Sequence, residues 1–425
     1  MPNRSIAPET TPITQLNFIP STGIALPCGV VVYCSPKRAL GVLRFDMFWL
    51  HKNSTQNKPG QAKAATQLLF SGTNTKTAEV VLDGFESLGA NFSCDAGLLS
   101  SSITIKSIKS QFFKVLPILS DVLENSIYPQ SELDLYKKSE TSSLLRKMQT
   151  PGYWSQRLCL EAVYGEKSPD TSFSTPNDIE ALSQSDLLSY TRKHIQTKQA
   201  VLFVSGDYDD VILNHINDAF SSFSTDKQEL TKPEHNKDKR EPKTIKHPIS
   251  HSNQVSLCMA KNIDRVAYTE FPKLSLLNLF LGGFFGSRLM QELREERGLT
   301  YGIGSSISLS TLGHIWMIKG EMNSQNANLT QDCIRDILNK LTTEPPVGEE
   351  LEKAKRYFGG QLRGSLDGPF SEPSRIQFLM KTGYPQQYYE EAMQTIWSTN
   401  TNTIAELAYN YLNPDSFTIA LAGEM

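Results

Sequence analysis

The sequence predicts an α+β protein of two homologous domains, each a mostly antiparallel β-sheet with helices packed on one face, which face each other across a cleft. Three observations support this fold class. The chain has 425 residues, more than the roughly 250–300 residues at which a single hydrophobic core stops growing. A charged segment divides the chain about in half, and the same order of apolar patterns occurs on either side of it.

The dividing segment runs from Ser224 to Ser252 and is rich in charged residues and prolines. A stretch with so few apolar residues buries no core of its own and is typical of an exposed linker. We therefore predict an N-terminal domain at residues 1–224, a linker at 225–252 and a C-terminal domain at 253–425. Limited proteolysis is expected to cut first within the linker.

The two halves share a series of patterns in one order. Each has an apolar strand-like run, a helical pattern, a strand pair rich in glycine and serine, a long amphipathic helix, a helix start with proline before glutamate, and a terminal strand. The second helical pattern, 274–296, places Leu281, Phe285, Leu289 and Leu293 four residues apart on one face. Because strands cluster around helix pairs instead of alternating strictly with helices, we expect mostly antiparallel sheets.

Composition excludes several classes of protein. The chain is 39% hydrophobic and 20% charged with a net charge of −3, so it has no global basic field for nucleic acid. Residues 1–8 lack the apolar core of a signal peptide, and no later stretch has the ~18–20 apolar residues of a membrane span. We predict a cytoplasmic protein. Its six cysteines include no Cys-x-x-Cys pair, so free thiols are expected.

Two segments carry a family resemblance. One runs from residue 285 to 301 and ends in Arg297-Gly298-Leu299-Thr300-Tyr301, directly after a predicted helix. The other runs from 60 to 73, with Gly-Gln-Ala at its start and Leu-Leu-Phe-Ser-Gly-Thr at its end. In these motifs and in its two-repeat plan, the whole chain resembles the insulinase/pitrilysin metallopeptidases, specifically the short members built like mitochondrial processing peptidase.

The resemblance implies a His-x-x-Glu-His motif within the segment 60–73, where two histidines share a zinc ion and the glutamate acts as general base. In this sequence the three positions hold Lys63, Thr66 and Gln67. A lysine ammonium has no lone pair for zinc, threonine is not a general base, and glutamine is a weak ligand. We therefore expect this chain to bind no metal and no other cofactor.

The third zinc ligand of the family, a glutamate, would fall near Ser143 and Leu144. Glu140 is the nearest carboxylate, about one helical turn away. One carboxylate alone does not hold a zinc ion. We interpret Glu140 as a solvated glutamate on a helix face.

The second domain keeps its motif. The resemblance implies that Arg297 and Tyr301 reach across the cleft and hold the substrate carbonyl and its developing oxyanion. In the alternative, Arg297 caps the helix C-terminus and Tyr301 is a packing residue at the start of a strand. The other charged residues of this helix, Glu292, Arg294, Glu295 and Glu296, are expected to form a solvated face.

These features predict a non-catalytic subunit of a heterodimeric zinc peptidase that acts on unstructured peptides. A zinc-bearing homologous subunit would supply the metal and the base, and this chain would supply Arg297, Tyr301 and a cleft wall. The alternative is a scaffold or binding protein with a peptidase fold and no proteolytic role, either a homodimer or a core subunit of a larger complex. Neither hypothesis involves nucleic acid or a membrane span.

Overall fold

The strands form one sheet in each half of the chain. A computed structural model describes residues 11–16, 21–51, 58–196, 199–221, 240–250, 252–311 and 313–424. The first sheet contains β1 (Thr22–Ala25), β2 (Val31–Cys34), β3 (Val42–Leu50), β4 (Asn91–Ala96), β5 (Ser100–Ile108) and β6 (Val201–Gly206). The second contains β7 (Thr244–Pro248), β8 (Gln254–Ile263), β9 (Thr300–Leu309), β10 (His314–Asn323) and β11 (Thr418–Gly423).

The two sheets share one plan, as the repeated patterns predict. The strand orders are β1-β2-β6-β3-β5-β4 and β7-β11-β8-β10-β9. All neighbours are antiparallel except β2 with β6 and β7 with β11. Within the described residues, β4 pairs only with β5, and β9 pairs only with β10. Each sheet therefore ends in a hairpin whose first strand is the edge strand. The predicted mostly antiparallel α+β fold is confirmed.

The predicted linker at 225–252 is only partly described. Residues 225–239 and 251 lie outside the described residues. Strand β7 lies within the remaining part and pairs with β11, with Thr244 opposite Ile419 and Pro248 opposite Gly423. A proline at the end of an edge strand removes no necessary hydrogen bond, so the charged, proline-containing composition does not prevent strand formation. The domain boundary stays a prediction, with the second sheet beginning at Thr244.

Helices cover one face of each sheet with their own apolar faces. No described helix combines the length and apolar character needed to cross a bilayer. The helices of the first half are α1 (Gln61–Gln67), α2 (Ala78–Glu86), α3 (Phe112–Asn125), α4 (Gln130–Met148), α5 (Pro151–Tyr164), α6 (Pro176–Glu180), α7 (Gln184–His194) and α8 (Asp210–Ala219). Those of the second are α9 (Phe271–Asn278), α10 (Ala327–Thr343), α11 (Gly348–Leu366), α12 (Glu372–Thr382), α13 (Tyr388–Ser398) and α14 (Thr401–Tyr411).

The predicted helix at 274–296 is not continuous. Helix α9 runs into a π-helical turn, Leu279–Gly283, and the backbone is extended at Phe284 before a second π-helical segment, Met290–Glu296. Leu281, Leu289 and Leu293 are buried as predicted. Phe285, predicted on the same face, is 59% exposed, because the break at Phe284 turns it away from the core.

The second face of the C-terminal sheet is covered by a helix from the N-terminal half. Helix α5 packs on β8 and β11. Its residues Cys159 and Leu160 form one buried cluster with Cys258, Ala260 and Ala420 of the sheet. The apolar face of α5 is thus buried against the sheet of the other half of the chain.

The reverse contact occurs on the N-terminal sheet. Helix α12, from the C-terminal half, packs on β3 and β6. Its residues Ile376 and Leu379 are buried together with Phe48 and Phe203 of the sheet. The two halves therefore exchange one helix each, and neither sheet is fully covered by its own half.

This exchange predicts that the halves stay together after the linker is cut. Separation would expose the apolar faces of α5 and α12, which opposes dissociation. We expect protein that trypsin has cut between residues 224 and 252 to elute as one particle of about the intact mass, 47.5 kDa. The same fraction should give two bands on a denaturing gel. Two separately eluting fragments would contradict the exchanged packing.

Candidate functional site

Helix α1, which carries the positions of the zinc motif, is held in place by two hydrogen bonds from and to its residues. It begins after Gly60, whose φ of 80° lies in the left-handed region that favours glycine. The Gln61 Nε2 amide donates to the Asp186 carbonyl (2.8 Å). Tyr128 Oη donates to the carbonyl of Ala65 (2.9 Å), near the end of the helix. These contacts position α1 against helix α7 and against the residues just before α4.

Lys63 stands at the first ligand position and forms an ion pair with Glu140 of α4. The Lys63 ammonium lies 2.5 Å from Glu140 Oε1. The interpretation of Glu140 as a solvated helix-face residue is wrong, because its side chain is only 22% exposed and faces α1. The structure thus brings together the first and third ligand positions. A cation on the protein takes the place of a metal beside this carboxylate.

The other two motif positions also fail to fit zinc. Thr66 is buried, and its hydroxyl oxygen has no hydrogen-bond partner in the described part of the chain. Gln67 is exposed at the end of α1. With an ammonium at the first position and an amide at the second, Glu140 is the single anionic donor among these residues, and no group of three potential metal ligands occurs in the described ranges. The residues present do not fit a catalytic zinc ion.

In the second domain, Arg297 ends the π-helical segment Met290–Glu296. Gly298 has a φ of 61°, which turns the chain out of the helix and into β9. The Arg297 Nη2 group donates to Glu292 Oε1 at 3.0 Å, and Lys340 lies 3.9 Å from the second oxygen of the same carboxylate. Arg297 is therefore turned back along its own helix and is not directed at Tyr301.

Tyr301 is 87% exposed, so it is not a packing residue. The guanidinium of Arg294 lies 5.5 Å from the centre of its ring and 5.0 Å from that of Phe285, which is also exposed. The three side chains form an aromatic–arginine cluster on the surface, stabilised by cation–π contacts. Arg294 also lies 3.6 Å from Glu295, its neighbour on the predicted charged face, so its contact with the two rings is additional to that face. The turn at Gly298 brings this residue, seven positions before Tyr301, over the ring.

An open cavity of about 400 Å³ lies beside Tyr301, on the face of the second sheet that α5 partly covers. Strands β8, β9 and β10 form its floor, and the first turn of α5 forms one wall. Its lining consists of Gly152, Ser155, Gln156, Ser256, Tyr301, Gly302, Lys319, Gly320 and Glu321. The cavity is thus built by both halves of the chain.

Glu140 and the cavity are connected through the chain. Helix α4 carries Glu140, and α5, which begins at Pro151 just after α4 ends at Met148, supplies the wall beside Tyr301. The helix that carries Glu140 and the helix that forms a wall of the cavity beside Tyr301 are therefore consecutive in the chain.

Comparisons with known proteins agree with this geometry. Residues 181–358 match the family model described as "Peptidase M16 inactive domain". A protein of Bacillus subtilis named "Uncharacterized zinc protease YmxG" is 23% identical over 333 residues, which cover 77% of this chain and 80% of that protein. A "Non-peptidase homolog YmxG" of Helicobacter pylori is 22% identical over 314 residues, covering 72% of this chain and 71% of the relative.

Solved structures show the same fold. The crystal structure of a peptidase M16 inactive domain from Pseudomonas fluorescens superimposes with a TM-score of 0.85 at 23% identity, over 96% of this chain and 99% of that one. The periplasmic protease PqqL of Escherichia coli superimposes with a TM-score of 0.78 at 13% identity, over 98% of this chain but only 46% of PqqL.

These matches confirm the resemblance to the insulinase/pitrilysin peptidases, which are the M16 family. The inactive-domain match, together with a relative named as a non-peptidase, agrees with a chain that is not a peptidase on its own. The chain therefore resembles the M16 peptidases: its residues 181–358 match the family model of the inactive domain, and Lys63, Thr66 and Gln67 stand in its first half where the resemblance implies the zinc motif.

Proposed function

We propose that this chain is the non-catalytic subunit of a two-chain zinc peptidase that acts on unstructured peptides. A homologous subunit supplies the zinc ion and the general base. This chain supplies a wall of the cleft and hydrogen-bond donors for the substrate. Its own degenerate site, closed by the Lys63–Glu140 ion pair, takes no part in the chemistry.

The observation that carries this proposal is the exposure of Tyr301. A tyrosine at the start of a strand is ordinarily packed, because its ring contributes a large apolar area to the core. Here the ring is 87% exposed at the rim of the cavity, with Arg294 over one face. The hydroxyl is free to donate to a carbonyl oxygen that carries developing negative charge, and the nearby guanidinium favours that charge.

Arg297 has a different place in this proposal from the one its sequence position implies. Its guanidinium is held by Glu292, so reaching a substrate requires release from that carboxylate. Arg294 already lies next to Tyr301. We therefore propose Tyr301 and Arg294 as the pair that faces the substrate, with Arg297 as a second cation that becomes available when Glu292 is otherwise occupied.

The length of PqqL supports a second chain. This chain matches 46% of PqqL, so that single polypeptide contains about as much additional chain. Two chains of the present length together are about as long as the single PqqL chain. The exposed cluster of Phe285, Arg294 and Tyr301 also has the composition of an interface hot spot, in which aromatic and arginine side chains are enriched.

The test is hydrolysis of an unstructured peptide by the chain mixed with its zinc-bearing homologue. We expect Tyr301→Phe to lower turnover by about a hundred- to a thousandfold, or about 2.7–4 kcal/mol, because it removes one donor to the oxyanion. Arg294→Gln should lower turnover as well. Tyr409→Phe is the matched control, because Tyr409 is 75% exposed on α14 and lines no cavity described above.

Size-exclusion chromatography of each mixture separates catalysis from assembly. The proposal requires that Tyr301→Phe pairs with the homologue as the wild type does and yet loses turnover. Wild-type turnover by both Tyr301→Phe and Arg294→Gln would show that these two surface side chains do not contribute to peptide hydrolysis. The same result for Arg297→Ala would remove that residue from the proposal.

A scaffold or binding protein with no proteolytic role is the second candidate. The relative of Helicobacter pylori named as a non-peptidase homolog favours it. This function predicts a stable homodimer or a place in a larger complex, and no effect of substitution at Tyr301 on any peptidase. The hydrolysis experiment decides between the two functions.

A further inference from the structure

The cavity beside Tyr301 is polar and contains two charges of opposite sign. Lys319 and Glu321 lie on the same face of β10, two residues apart, and both are exposed. The buried hydroxyl groups of Ser155 and Ser256 hydrogen-bond to each other at the floor (3.0 Å). The lining residues include no aliphatic or aromatic side chain besides Tyr301. A ligand here is recognised through polar groups.

Gly302 indicates that the cavity accommodates another main chain. A glycine inside a strand costs stability and commonly marks a close approach of a ligand or backbone. The φ of Gly302 is not positive, and a Cβ atom added there would meet no atom within 4 Å. Nothing within the described fold therefore requires glycine at this position. The free space lies above the floor of the cavity, next to Tyr301.

The carboxylate of Glu321 lies at the N-terminus of helix α5 and interacts with that helix end. Its Oε1 atom lies close to the backbone of Gly152 in the first turn of α5, 3.3 Å from the point where a Cβ atom would stand if that residue were not glycine. That helix has no acidic residue in its first turn, and Thr150 provides no side-chain cap. A carboxylate near the N-terminus of a helix interacts favourably with the exposed N–H groups and the helix dipole. Glu321 supplies this charge from the neighbouring sheet.

Lys319 has no comparable partner. Its ammonium contacts the neutral amide oxygen of Gln156 at 3.3 Å. It forms no ion pair with any carboxylate in the described ranges. One positive charge therefore has no carboxylate partner at the mouth of a cavity that has open space above Gly302.

We propose that this cavity binds a carboxylate group of an extended peptide, with the carboxylate paired to Lys319 and the peptide main chain lying over Gly302. An acidic side chain and a free C-terminus offer the same group. The inference deepens the proposed function and rests on it for the peptide nature of the ligand, because Tyr301 lines the same cavity.

Calorimetric titration of the isolated full-length chain tests the inference without the partner subunit. Three acetylated ten-residue peptides of glycine, serine and asparagine serve as probes. The first has a central glutamate and an amidated C-terminus, the second a central glutamine and an amidated C-terminus, and the third a central glutamine and a free C-terminus. We expect at least one carboxylate peptide to bind about tenfold more tightly than the uncharged peptide, and the tighter of the two identifies the source of the carboxylate.

Two variants locate the binding. Lys319→Gln should abolish the difference between the carboxylate and uncharged peptides. Lys246→Gln is its control, because Lys246 lies on β7, at the opposite edge of the same sheet. Gly302→Ala should weaken all three peptides while leaving the melting temperature unchanged or higher. Gly360→Ala is its control, since a Cβ atom there also meets nothing within 4 Å, but the residue lies on α11.

Equal affinities for the three peptides in the wild type would overturn the inference, as would a carboxylate preference that survives Lys319→Gln. Unchanged peptide binding by Gly302→Ala would show that the peptide main chain does not lie over Gly302. These outcomes are independent of the hydrolysis experiment. A pair that cleaves peptides through Tyr301 but shows no carboxylate preference refutes this inference alone, and a preference without any cleavage refutes the proposed function alone.

Discussion

Replacing Asp46 by alanine is expected to lower the free energy of unfolding by about 3–5 kcal/mol, the usual cost of removing one partner from a buried ion pair. Asp46 is fully buried on β3. It accepts hydrogen bonds from Arg44 Nε (2.8 Å to Oδ2), Arg44 Nη2 (2.8 Å) and Thr104 Oγ1 (2.5 Å). Without the carboxylate, the Arg44 guanidinium stays in the interior with an uncompensated charge.

The effect should extend to the contact between the halves. Arg44 Nη1 donates to the Phe370 carbonyl at 2.7 Å, just before helix α12, which covers the N-terminal sheet. Burial raises the pKa of Asp46, and Arg44 acts against this rise. The burial of this carboxylate is therefore costly, and the pair fixes the position of α12 more than it adds stability.

Urea unfolding of three proteins measures this effect. Asp46→Ala should show the full loss, whereas the double change Arg44→Met with Asp46→Leu should recover most of it, because no buried charge remains. Asp415→Ala is the control, since the Arg335–Asp415 pair has side chains 41% and 76% exposed and such pairs contribute about 0–1 kcal/mol. A loss below 1 kcal/mol for Asp46→Ala would mean that water reaches the pair.

The plan of the fold was predictable because the chain contains it twice. Because the same series of patterns occurs twice in one order, the sequence predicts two similar sheets even though the contacts between distant residues are unknown. The exchange of α5 and α12 was not predictable. An apolar stripe shows that a helix face is buried, but it does not show which sheet covers that face. Strand β7 was assigned to the linker, because charge and proline content carry no information about an edge partner.

The candidate site was predictable as a set of positions but not as a set of contacts. Lys63, Thr66 and Gln67 were found because they occupy the three positions of the His-x-x-Glu-His motif that the family resemblance implies on one helix. The Lys63–Glu140 contact joins residues 77 positions apart, and the sequence does not show which face of α4 packs on α1. The contact of Arg294 with Tyr301 was not predictable, because it depends on the turn that the chain makes at Gly298.

The contact between Lys63 and Glu140 leads to the largest expected change in the molecule. The wild-type chain should hold no stoichiometric zinc after dialysis, because an ammonium and an amide occupy the two imidazole positions. The double change Lys63→His with Gln67→His places two imidazoles four residues apart on α1, opposite Glu140. Two histidines and one glutamate are the ligand set of a catalytic zinc site. We expect zinc to bind at least a thousandfold more tightly than in the wild type, or about 4 kcal/mol.

Adding Thr66→Glu should not produce an active peptidase. Thr66 is buried with its hydroxyl unpaired, so a longer carboxylate there is forced into the core instead of reaching a metal-bound water. The zinc content of each variant, measured by elemental analysis at pH 7.5, and peptide hydrolysis of the triple variant test this account. Rapid hydrolysis would show that the first half lost its activity at the three motif positions alone.

Glu140→Gln in the background of the two histidines tests the third ligand. If Glu140 coordinates zinc, this change should weaken binding by about a hundredfold, or ~2.7 kcal/mol, since a neutral amide replaces an anionic donor. The control is Glu132→Gln, which lies two turns earlier on the same helix. Equal affinity of both variants for zinc would mean that Glu140 only neutralises Lys63. A selective loss at Glu140 would show that this chain retains the third ligand position of the zinc site and has filled the first with a lysine.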